Sequence, residues 1–185
     1  MRYPGKTSSD FSVQTQYDFD YRFVMRGNKR FVRIRPRVQV NSSEFRNTVL
    51  LPESYRGNDM WQTKLMLHEL DHVAISADPR VGMLTHRVLT TIGVIEHPVD
   101  QGQRLDQAGI EAIVNEELAR RRDAVYALVE KNNRRLDDVT QHGAKKLDDR
   151  DAFFRGLYSK EALDEMKFPY LGDVLGLLKD KKYED

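Results

Sequence analysis

The sequence predicts an α+β fold: a small antiparallel β-sheet packed on a pair of helices, with a short helical C-terminal extension. Two observations predict it. Residues 11–25 and 31–40 alternate apolar and polar side chains, the two-residue period of a half-buried strand. Residues 60–77 and 105–137 instead repeat apolar side chains at steps of three and four, the period of a helix with one buried face. At 185 residues the chain has the size of one domain with a sizeable core. We read that core over about residues 11–146 and the extension over 151–185.

The first strand places Phe11, Val13, Tyr17, Phe19, Tyr21, Phe23 and Met25 on one face. Arg26-Gly27-Asn28-Lys29 is a turn. A hairpin closing on Gly27-Asn28 sets Asp20 opposite Arg35 and Asp18 opposite Arg37, and it pairs Phe23 with Val32 and Tyr21 with Ile34. The register that joins the apolar residues also joins the charges, at the cost of setting Arg22 opposite Arg33. Pro36 marks an edge strand, and Asn47 to Leu51 reads as a short third strand. Gly57-Asn58-Asp59 offers caps for a helix over Met60–Ala77, whose stripe of Leu67, Leu70, Ala74 and Ala77 suits burial. Asp78-Pro79 ends it or caps the next helix. Residues 80–96 are apolar without a decisive period, and His97-Pro98 through Gly102 reads as a loop. The long helix carries Ile110, Ile113, Val114, Leu118, Val125, Leu128, Val129 and Leu136 inward, and Gly143 stops the chain beyond it. The tail from Asp151 reads as two short helices docked on the body.

Composition narrows the function. Thirty basic and 29 acidic residues give a net charge of +1, which argues against a dedicated nucleic-acid binder. Arg120-Arg121-Arg122 and Arg134-Arg135 have acids nearby and read as solvated helix faces. No apolar run reaches the length of a membrane span. Cysteine is absent, so disulfides and cysteine metal sites are excluded. The first residues, Met1-Arg2-Tyr3-Pro4-Gly5-Lys6, show no hydrophobic signal stretch. That leaves a cytoplasmic protein or one whose export signal has been removed.

The chemistry is concentrated in His68-Glu69-Leu70-Asp71-His72. On a helix, residues four apart share a face, so His68 and His72 can grip one Zn²⁺. Glu69 stands where it can accept a proton from water at the metal. This pattern makes amide hydrolysis the first hypothesis. A third ligand is required. The candidates are His142 beside Gly143, His97 before a proline, the half-buried His86, and the carboxylates Glu116 and Glu117 on the long helix.

Taken together, Leu51-Pro52 at the end of the hairpin, His68-Glu69-Leu70-Asp71-His72-Val73-Ala74 and the later Leu136-Asp137-Asp138-Val139-Thr140-Gln141-His142-Gly143 carry a resemblance. Over roughly residues 13–146 the chain resembles the bacterial predicted secreted zinc-dependent protease family. The last segment is similar to that family's aspartate-x-x-threonine-x-histidine-glycine signature. The resemblance implies a zincin-like helix pair, His142 as third zinc ligand beside His68 and His72, and an extracytoplasmic setting. It implies no substrate. The chain departs from the family in lacking a cysteine between the motifs and in carrying the C-terminal extension.

The expected function is a zinc metallopeptidase with Glu69 as general base and a protein or peptide as substrate. An edge strand would align the peptide through main-chain hydrogen bonds. Asp71, Asp137 or Asp138 would orient a ligand imidazole. Two other readings remain open: a non-catalytic, zinc-stapled protein-binding module, and a metal-free interaction domain in which the motif is accidental.

Overall fold

The computed structural model describes residues 5–53, 57–100, 102 and 104–184. Met1–Pro4, read above as lacking a signal stretch, lie outside the described residues. The fold is α+β. Strand β1 (Lys6–Arg26) and strand β2 (Lys29–Leu50) form one long hairpin, and β3 (Ile95–Val99) joins the other side of β2 to give the antiparallel order β1-β2-β3. The register follows the charges as expected. Asp20 pairs with Arg35, Asp18 with Arg37, Phe23 with Val32 and Tyr21 with Ile34, and Arg22 faces Arg33. Arg37 binds both Asp18 and Asp20, and its guanidinium holds the Asp20 carboxyl below its ordinary range. Arg33 turns from Arg22 to Glu96 of β3, at 3.0 Å.

Three expectations about the sheet are corrected. The strands run 21 and 22 residues, about 70 Å each. Asn47–Leu50 is no third strand but the end of β2, paired with Lys6–Ser9. Asn41 is bulged out between Gln14↔Ser42 and Thr15↔Val40, and this one-residue shift lets the pairing continue. His97-Pro98 is no loop but part of β3, with His97 opposite Val32. Pro36 is tolerated because β3 covers β2 only from Arg30 to Ile34.

Helix α1 (Lys64–Ser76) follows a 3-10 turn over Asn58–Gln62. Its cap is Thr63, whose hydroxyl accepts from the Met66 amide at 3.2 Å, rather than Gly57-Asn58-Asp59. Helix α2 (Pro79–Thr90) resolves the ambiguous stretch: Asp78 caps it and Pro79 takes its first position. Helix α3 (Gln107–Thr140) is the predicted long helix, capped by Asp106. The tail makes four short helices, α4 (Arg150–Gly156), α5 (Lys160–Glu165), α6 (Leu171–Val174) and α7 (Lys181–Glu184).

Two apolar clusters hold these parts. Val32 and Ile34 meet Leu89, Ile110, Val114 and Leu118 under the sheet. The second joins Ile75 of α1, Val81, Leu84 and Val88 of α2, and Val125, Leu128, Val129 and Leu136 of α3 to Leu157, Tyr158, Leu163, Phe168 and Val174 of the tail. The tail is therefore inside the core rather than merely docked on it. Arg121 completes this join. It is buried, not on a solvated face, and it bonds to Glu117 at 2.6 Å, Val88 O at 2.7 Å and Asp173 at 2.8 Å.

Candidate metal centre

The face α1 buries is the reverse of the apolar stripe in its sequence. Leu67 is 44% exposed, while His68, Glu69 and Asp71 are buried with Ile75. Polar side chains take the inner face because each finds a partner there, which removes the cost of burying it.

His68 Nε2, His72 Nε2 and Asp137 Oδ1 form a triangle with all three edges 3.2 Å long. Helix α3 supplies the third corner and the supports of the other two. Thr140 Oγ1 donates to Leu136 O at 2.7 Å, so it accepts from His68 Nδ1–H at 3.1 Å. Asn133 Oδ1 accepts from His72 Nδ1–H at 3.0 Å. Both imidazoles thus carry the proton on Nδ1 and direct the Nε2 lone pair into the triangle. Three acceptors converge with no donor between them, a donor set that suits a cation. Ligands about 2.0–2.1 Å from a tetrahedral ion stand about 3.3 Å apart, close to the observed edges. The group could hold a metal ion.

Burial, followed by the charge of the neighbouring His72, pushes the His68 imidazole below its ordinary range. A folded-state value below the unfolded one means that the unfolded chain takes up protons first, at about pH 6.5. The stability this group contributes is complete above that value and is lost as pH falls through the folded one. Metal-free protein is expected to unfold at lower urea when moved from mildly alkaline to mildly acidic buffer; a midpoint that rises on acidification would contradict this.

Glu69 is engaged from β1. Thr7 Oγ1 donates to Glu69 Oε2 at 2.5 Å, and a Cβ built on Gly5 would come within 2.6 Å of Glu69 Oε1. Asp71, one of the expected orienting acids, faces away and accepts from Arg150 Nε of α4 at 2.7 Å. Asp138 is exposed. Orientation of the imidazoles falls to Asn133 and Thr140 instead. Thr140 lies in the aspartate-x-x-threonine-x-histidine-glycine segment, whereas no local sequence pattern marks Asn133.

The other third-ligand candidates separate clearly. His86 is exposed on α2, not half-buried, and His97 belongs to β3. Glu116 and Glu117 bind Arg120 and Arg121. His142 does reach the site: its Nδ1 lies 3.4 Å from Asp137 Oδ1, and it lines the same cleft as His68 and His72. It touches the triangle through Asp137 rather than forming one of its corners. A left-handed run places it there, with φ of 51° at Gln141, 54° at His142 and 79° at Gly143. A Cβ on Gly143 would sit 3.0 Å from His68 Cγ. Gly143→Ala is expected to cost about 1–2 kcal/mol of stability and to weaken metal binding by displacing His68, as read from urea midpoints and zinc titration. An unchanged affinity would show that the ring does not depend on this turn.

The cleft holds about 570 Å³ between the first residues of β1 and one stripe of α3. No protein-family model, no curated protein and no solved structure matches the chain. No described helix is long and apolar enough to cross a membrane.

Proposed function

We propose that this protein is a zinc-dependent metallopeptidase that hydrolyses peptide bonds with Glu69 as general base. The observation that carries the reading is the triangle of three convergent acceptors with Glu69 beside it on an open cleft. Zinc, when bound, supplies Lewis acidity toward a substrate carbonyl and lowers the pKa of water to about 7. His68 and His72 would hold it through Nε2. Asp137 and His142 contend for the third position: the geometry favours Asp137, the motif order favours His142. Glu69 takes the proton of the attacking water and returns it to the leaving amine. Thr7 fixes Glu69 by binding Oε2. Among the described residues β1 pairs only with β2, and its residues Lys6–Asp10 line the cleft, where an extended peptide can add as a strand. The resemblance to secreted zinc proteases supports the same reading and adds an extracytoplasmic setting to the proposal.

The stapled-module reading keeps one specific observation in its favour. Asp137 and His142 lie 3.4 Å apart, so both could join His68 and His72 and close the ion off with four protein donors. Hydrolysis decides. Zinc-loaded protein is expected to cleave a mixed peptide pool, to stop on chelation and to resume on adding one equivalent of zinc. A protein that holds zinc and cleaves nothing is the stapled module.

A further inference from the structure

The cleft walls carry charge in a definite order. Near the triangle stands Arg134 of α3, three residues before Asp137 and so about 4.5 Å back along the helix axis. Further from the triangle stand Glu130 and Asp10, both beside Tyr126. Arg134 has carboxylates at pairing intervals on its own helix: Glu130 four residues before, Asp137 three after and Asp138 four after. Glu130 faces Tyr126 and Asp137 serves the imidazoles. Among the described residues Arg134 pairs with none of the three. A guanidinium left without a partner, lining the cleft one turn from the metal ligands, is a ready two-pronged site for a carboxylate. The acids beyond it would repel the same group and so confine it to the metal end.

We propose that Arg134 holds a carboxylate of the substrate next to the bond to be cleaved, so that the substrates are peptides acidic at that point. This deepens the peptidase reading and rests on it. The carboxylate can come from an Asp or Glu side chain or from a C-terminus.

Binding tests it apart from catalysis. The full chain carrying Glu69→Gln and loaded with zinc is exposed to octapeptide pools. In three pools both ends are blocked and one position is fixed as Glu, Gln or Lys. A fourth fixes Gln and leaves the C-terminus free. Retained peptides are counted by mass spectrometry. The Glu pool is expected to be retained about tenfold over the Lys pool, a preference of about 1.4 kcal/mol. Adding Arg134→Ala should erase the preference, Arg134→Glu should reverse it, and Arg134→Lys should keep part of it. Zinc content should not change in any of them. Retention of the free-terminus pool alone, lost in Arg134→Glu, supports the site and names the terminal carboxylate as its source. Equal retention of all pools, retention of none, or an acidic preference that survives Arg134→Glu overturns the proposal. Cleavage of the same pools by wild type reports separately on the catalytic reading.

Discussion

Glu69→Gln is expected to lower kcat by about 10² to 10⁴-fold while zinc stays stoichiometric. The amide keeps the shape of the carboxylate and can still accept from the Thr7 hydroxyl, but it cannot take a proton from water at neutral pH. Because Glu69 is 4% exposed and packed against Gly5, a larger or smaller residue would disturb the wall of the cleft and confuse the result. Gln alone separates chemistry from packing. The measurement is turnover of a cleaved peptide together with elemental analysis of the same sample. Cleavage at the wild-type rate would remove Glu69 from the mechanism.

The second large effect lies in the ligands. His68→Ala and His72→Ala are each expected to abolish stoichiometric zinc, since both Nε2 atoms are corners of the triangle. The informative pair is Asp137→Ala and His142→Ala. An open, catalytic site needs only three protein donors, so one of these variants should lose affinity by orders of magnitude and the other by little. Loss in both marks the closed four-donor site and favours the stapled module. Loss in His142→Ala alone would support the motif order, and loss in Asp137→Ala alone the triangle as it stands. Competition against a chelator of known affinity gives both numbers.

The hairpin register was legible because a two-residue turn and two acid–base pairs agree on it, and a one-residue slip would break both. The length of the hairpin was not. Its first residues, Lys6-Thr7-Ser8-Ser9-Asp10, have no apolar alternation, and their pairing follows from continuing a ladder set elsewhere. His68, Glu69 and His72 were legible from spacing alone. Hydrophobicity alone misplaces the inner face of α1, because it marks a buried face only when the core behind it is apolar. Here that face meets Thr140, Asn133 and Asp137, and Leu67 is left outside. Thr7 and Asn133 were invisible for another reason: they act on residues 62 and 61 positions away, and no local pattern marks such pairs.

Those separations also set the order in which the molecule can assemble. Thr7 to Glu69 spans 62 residues, His72 to Asp137 spans 65, and His68 to Thr140 spans 72. Each is a long loop whose closure must precede the contact it permits. Local helix formation can bring together only the two imidazoles of α1, and the full donor set converges only after α3 has returned across α1. An ion that meets this set binds the finished fold in preference to anything earlier. By mass action, free zinc at a hundred times its dissociation constant would add about 2.7 kcal/mol to the stability of that state. If the proposed site takes zinc, loading would follow the return of α3 across α1, and zinc content would then report the fraction of chains that have completed folding.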